Sequence, residues 1–209
     1  MKSLRCLLSY FFIVMLLTGC MKDLLTSRSN VRDFYTLSAA EFDQTSHQPL
    51  KVSLGVQRAI AGPGLNNEKI ILKTQPYKID YYANARWISE LPKIVQAKII
   101  ESFENSGALP KISTANSDMK SDYLLAVEIR SFQAEYRADN APPQIQIKIV
   151  FKLLTALDHR VVKTGEFEVR RDAPQNSIDS IMATFDQAFV TIEHDMVNAV
   201  LKQLRKENK

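Results

Sequence analysis

Two cysteines occur in 209 residues, and both, Cys6 and Cys20, lie in the first twenty. Beyond them there is no thiol to act as a nucleophile and no disulfide to staple the fold, so the chain must hold itself by packing. Histidine is nearly as scarce. His47, His159 and His194 stand alone, none with a partner at metal spacing such as i, i+4 on a helix. No Gly-x-Ser-x-Gly elbow is present. Gly62-Pro63-Gly64 breaks the chain, but no Gly-Lys-Ser/Thr follows, so it reads as a loop and not a phosphate cradle. Neither sign of charge dominates. The 27 basic residues include Lys2 and Arg5 of the N-terminal segment, leaving 25 against 23 acidic ones, interspersed. That pattern argues against a nucleic-acid partner. After residue 17 no apolar run reaches the about 20 residues of a spanning helix.

What the chain does have begins at its N-terminus. Lys2 and Arg5 precede the apolar run Leu7–Leu17, and Leu17-Thr18-Gly19-Cys20 closes it. A charged start, a short apolar core and a small-residue cleavage site describe an export signal. The last four residues resemble the lipobox of bacterial lipoproteins. The resemblance implies that Cys20 carries an S-diacylglycerol, that residues 1–19 are cleaved away, and that the new amino group is acylated. An ordinary cleaved signal with a chance cysteine, or an uncleaved anchor, is the alternative. No other cofactor and no metal is expected. The residue after Cys20 is Met21 and not the Asp that retains enteric lipoproteins in the inner membrane. The expected location is therefore the inner leaflet of the outer membrane, facing the periplasm. Residues 20–32 are polar with little periodicity and read as a tether, spanning about 20 Å as a flexible chain. Residues 33–206 are the expected domain.

Along that domain, Phe34–Leu37 and Lys51–Val56 read as strands, the second with Val52, Leu54 and Val56 on one face. Lys69–Thr74 and Tyr77–Tyr82 form a hairpin turning near Gln75-Pro76. Ile88, Leu91, Ile94, Val95, Ile99 and Phe103 recur at helical spacing, with Ser89 as N-cap and Asn105-Ser106-Gly107 as stop. Tyr123–Ala134 alternates, then changes phase: Leu125, Val127 and Ile129 are odd-numbered, Phe132 and Ala134 even. A bulge near Ser131, or burial on both faces, accounts for this. Ile145, Ile147, Ile149, Phe151 and Leu153 share a face opposite Gln144, Gln146, Lys148 and Lys152, and 160–171 returns antiparallel with one wet face. Ile178, Ile181, Phe185, Phe189, Ile192, Met196 and Val200 stripe a long final helix from Ser177 to about Leu204. His194, with Glu193 and Asp195, reads as its solvated side. The fold class is therefore α/β in the mixed, α+β sense. It is a single domain with a largely antiparallel mixed sheet of six to eight strands and two long helices on one face, or one on each.

The most pointed patch outside Cys20 is Tyr81-Tyr82-Ala83-Asn84-Ala85-Arg86-Trp87. Its plain reading is core, with Trp87 packed where hairpin meets helix. Its functional reading makes Tyr81, Tyr82, Arg86 and Trp87 a partner or lipid contact, since Tyr, Trp and Arg are enriched at interface hot spots. Together the lipobox, Phe34-Tyr35-Thr36-Leu37, the Val-x-Leu-x-Val strand, Tyr81 to Trp87 running into Leu91-Pro92, and Asp122-Tyr123-Leu124-Leu125 to Phe132 resemble the ABC-type transport auxiliary lipoprotein family. That family includes the paraquat-inducible protein C-like lipoproteins. The resemblance implies a non-enzymatic subunit beside an MCE-domain protein and ABC-type or related inner-membrane transporters, moving phospholipid between membranes. It supplies no catalytic residues. A structural or assembly lipoprotein of the outer membrane, self-associating through sheet edges, is the alternative.

Overall fold

The computed structural model describes residues 32–43, 49–117, 120–138 and 141–208, and Asp33–Lys209 forms one compact unit. Cys20, the tether up to residue 31 and His47 lie outside the described residues. Nine strands and two helices are seen among the described residues. In chain order they are β1 (Asp33–Tyr35), β2 (Ser53–Val56), β3 (Ile60–Ala61), β4 (Lys69–Gln75), β5 (Lys78–Trp87), α1 (Leu91–Asn105), β6 (Lys111–Thr114), β7 (Tyr123–Glu135), β8 (Gln144–Thr155), β9 (Val161–Asp172) and α2 (Ile178–Glu207).

The sheet is assembled around β7. One edge of this 13-residue strand pairs along its whole length with β8, which in turn pairs with β9. The other edge takes β2, β3 and β4 in succession, all parallel to it. β5 pairs antiparallel with β4, and β1 adds itself parallel to β5 at the rim. The mixed α+β domain is as expected, and its long ladders are antiparallel. Two strands had no counterpart in the alternation pattern, β3 and β6. At two and four residues they are too short for a period of two to show, and pairing with β7 and β2 alone defines them.

The register of β7 shifts between Ile129 and Ser131, so Arg130 is a bulge. Before it, Leu125, Val127 and Ile129 are buried; after it, Phe132 and Ala134 are. One inserted residue changes which parity points inward, because side chains alternate faces with every residue. The inner face of β8, Ile145 to Leu153, is buried along its length. The outer face carries a polar ladder: Gln133 donates to Gln146 at 3.0 Å, Gln146 to Glu168 at 3.0 Å, and Lys148 pairs with Glu166 at 2.7 Å. Such exposed ion pairs add little stability but keep this face wet.

Both helices share one core with the sheet and touch each other. Ser177 caps α2, accepting from the Ser180 amide at 3.4 Å, and Arg205 and Lys206 lie in its last turn, where cations suit the helix dipole. The start of α1 differs from expectation. The helix begins at Leu91 behind Glu90, not Ser89, and has no side-chain cap. Pro92 in the first turn brings no N–H to be capped. Ile88 therefore lies before the helix and is exposed. Its far end follows the sequence, stopping at Gly107 with φ +61.

Strand directions define two ends of the domain. At one lie the Pro76-Tyr77 turn between β4 and β5, the β7–β8 loop and the β9–α2 link. At the other lie the β8–β9 turn and the end of α2, joined by an Arg160–Glu207 pair at 3.6 Å.

On the inner face Gly165 is registered opposite Phe151, whose ring stacks on Phe167 at 5.7 Å between centroids. A Cβ on Gly165 would come within 2.3 Å of the Phe151 ring, far inside van der Waals contact. Gly165→Ala should therefore lower unfolding stability by about 1–3 kcal/mol, through overpacking. Urea denaturation followed by circular dichroism measures this; an unchanged midpoint would mean the ring moves freely.

Candidate functional site

The segment from Tyr81 to Trp87 is split by the fold. Trp87 is 1% exposed and meets Phe132 and Phe185 edge-on, at 5.6 and 5.9 Å. Phe132 stacks on Phe185 at 5.3 Å with ring planes 2° apart, and Phe189 joins at 6.1 Å. Of the two roles open to Trp87, the structure gives it packing, pinning the end of β5 to β7 and α2. Its indole has no free face to offer a partner.

Tyr81, Tyr82 and Arg86 are half-buried, and each is engaged. The Lys69 ammonium sits over the Tyr81 ring, 4.7 Å from its centroid. Arg86 donates to the backbone carbonyls of Tyr82 and Ala85, at 2.5 and 2.8 Å. Tyr82 and Tyr136 share a hydrogen bond between their hydroxyls at 2.9 Å, and Tyr136 donates onward to Asn176 at 3.0 Å. Burial first, then the Tyr136 hydroxyl, raises the Tyr82 phenol well above its ordinary range. It is a neutral donor or acceptor and not a base. This chain of hydroxyls ties β5, the end of β7 and the β9–α2 link together. A shallow opening of about 300 Å³ lies beside it, bordered by Asp33, Tyr82, Asn84 and Ile178. Tyr82 and Arg86 thus stand at a rim fixed to the core, with hydroxyl and guanidinium already paired.

A buried acid lies elsewhere. Glu193 on α2 is 1% exposed, and neither carboxyl oxygen has a hydrogen-bond partner. The Ser102 hydroxyl and the Ala40 amide lie beside it but bond to each other, at 2.9 Å. Burial pushes the carboxyl up to about 9; Ser102, Ala40 and Lys98 oppose the rise and Asp186 adds to it. The expectation of a solvated face at 193–195 therefore fails at Glu193. Asp195 is exposed, while the His194 ring packs on Phe42 at 4.4 Å. The sequence held a signal: at i−4, i−3, i+3 and i+4 from Glu193 stand Phe189, Val190, Met196 and Val197, all apolar. Among the described residues no cluster of three or more His, Cys, Asp or Glu is placed to hold a metal.

A family model described as the ABC-type transport auxiliary lipoprotein component matches residues 35–197. The chain belongs to this family. The match runs from the end of β1 to two-thirds of the way along α2, and so takes in Tyr81–Trp87, the aromatic cluster and Glu193. Among solved structures, protein XCC0632 from Xanthomonas campestris is similar with a TM-score of 0.77 at 23% identity, over 84% of this chain and 98% of that one. An uncharacterised protein gives 0.64 at 13% identity, over 81% and 99%. At these identities the likeness establishes the fold. A relative from Bradyrhizobium diazoefficiens is 30% identical over 121 residues, 56% of this chain and 30% of the relative. The chain thus spans about a third of the length of the curated relative it matches. No helix among the described residues is long and apolar enough to cross a membrane.

Glu193 gives a sharp pH test. The native state keeps a proton that the unfolded chain releases near the ordinary value of 4.5. The associated stability is full below that value and is lost as pH rises through about 9. The slope approaches about 1.4 kcal/mol per pH unit between the two values. Glu193→Gln keeps the shape without the proton. It should flatten this part of the profile and stabilise the protein by about 1–3 kcal/mol in mildly alkaline buffer. Denaturation across pH checks this, and parallel profiles for wild type and variant would refute it.

Proposed function

We propose that this protein is a lipid-anchored auxiliary subunit of an intermembrane lipid-transport system. It works beside an MCE-domain protein and ABC-type or related inner-membrane transporter subunits. The carrying observation is the family match across nearly the whole domain, residues 35–197. The anchor is Cys20, bearing S-diacylglycerol and an N-acyl chain, and Met21 directs it to the inner leaflet of the outer membrane. Each buried CH₂ contributes about 0.8 kcal/mol, so three acyl chains hold the protein firmly. The domain's part is contact and placement, not a chemical step. This reading is supported by a candidate rim whose hydroxyls and guanidinium are bonded within the protein.

Two measurements test this reading. Cys20→Ala should move the protein from the membrane to the soluble periplasmic fraction and abolish palmitate labelling; a variant that still labels overturns the anchor. In-cell crosslinking of the wild type should recover an MCE-domain or transporter subunit. Recovery of outer-membrane assembly proteins alone would favour an assembly role instead.

A further inference from the structure

The end of the domain that carries the Pro76-Tyr77 turn exposes an apolar tip. Tyr77 is 85% exposed and Ile79 45%. Lys73 and Lys78 flank them, and Arg137 stands across a groove of about 270 Å³ between this turn and the end of β7. Glu135 and Asp80 also lie at this end, and the Asp80 carboxylate is occupied with the Tyr81 amide at 2.8 Å. The tip is a tight turn, set at the end of a hairpin whose base is anchored by Trp87 in the core.

We propose that this turn is a membrane-contact tip, laying Tyr77 and Ile79 into the interface of the bilayer that holds the lipid anchor. The inference rests on the Cys20 anchor and goes beyond it by naming which end of the domain meets lipid.

Three observations carry it. The first is direction. β1 runs parallel to β5, with Asp33 opposite Ala85, so the N-terminal end of β1 points toward the tip. The second is length. Between Arg86 and Tyr81 β5 bulges, passing five residues while β4 passes two, so the hairpin drops only about five residue steps from the level of β1 to Lys78, roughly 15 Å at strand rise. The thirteen residues from Cys20 to Arg32 span about 20 Å as an unstructured chain. A flexible chain of that length is long enough to span from Asp33 to the level of the tip. The third is chemistry. A tyrosine and an aliphatic side chain between lysines suit the boundary of a bilayer, where aromatic rings sit at headgroup level and lysine ammonium groups extend to the phosphates. Two exposed side chains on a turn make too little area for a protein interface, which needs about 800 Å² per partner. They are enough for a shallow lipid contact added to an existing anchor.

The opposite end supplies the control. Leu157, in the β8–β9 turn, is 98% exposed, more so than Tyr77. It is separated from the tip end by the length of the 12-residue β8, about 40 Å. If bare apolar exposure sufficed, Leu157 would contact lipid equally.

The experiment uses the lipidated protein in vesicles of phosphatidylethanolamine and phosphatidylglycerol. Tyr77→Cys and Leu157→Cys each introduce one labelling site, since no cysteine follows Cys20. A polarity-sensitive fluorophore at 77 should lose most of its quenching by aqueous iodide, shift to the blue, and gain quenching by brominated lipid; at 157 it should do none of these. Equal behaviour at the two positions in protein that floats with the vesicles overturns the tip and leaves the anchor standing. Protein that does not float overturns the anchor, and the tip with it. Protection from iodide without quenching by brominated lipid means that another protein copy covers the turn, which also overturns the proposal. Ile79→Cys repeats the test should the label at 77 disturb the turn.

Discussion

One extra residue in the central strand decides how the whole domain closes. Without the bulge at Arg130, the odd-numbered inward face of β7 would continue past Ile129. Phe132 and Ala134 would then turn outward toward Gln146 and the Lys148–Glu166 pair, and Gln133 would turn into the core. With the bulge, Phe132 faces inward onto Phe185, and Trp87 and Phe189 close around them. That cluster joins β5, β7 and α2. The hairpin, the rim at Tyr82 and the seat of the last helix all depend on it. A twisted, bulged strand is also well shaped to take three short parallel strands along one edge and a long antiparallel one along the other.

The sequence showed most clearly what repeats. Ile145 to Leu153 alternated without interruption, and the stripe from Ile181 to Val200 kept helical spacing; both are buried as read. The change of phase in β7 was legible as well, because an alternation that switches parity leaves few ways to fold. What stayed hidden was non-local. Ile60–Ala61 is a strand only because Glu128 and Ile129 lie beside it. The five parallel pairings follow from the routes of connecting loops, on which periodicity is silent. Glu193 hid for another reason. A glutamate in a helix is ordinarily solvated, and only its four apolar helical neighbours reveal otherwise.

The Tyr81–Trp87 patch shows why residue type alone misleads. Tyr, Arg and Trp mark hot spots because they are large and amphipathic, and the same qualities serve a core boundary. Here Trp87 went wholly inside, and Arg86 spent its guanidinium on carbonyls of its own strand. In sequence Tyr77 and Ile79 read only as part of the hairpin strand 77–82, with Ile79 on the face of Tyr81; the fold leaves both exposed.

The place of β1 has a consequence for how the protein matures. Its three residues pair with Ala85 to Trp87, some fifty positions later in the chain. Loop closure over such a span is slow compared with local turns and helices, and it requires β5 to be in place first. A chain made N-terminus first therefore leaves Asp33–Tyr35 unpaired until Ala85–Trp87 has followed it. The first strand in sequence is thus among the last to be locked into the sheet.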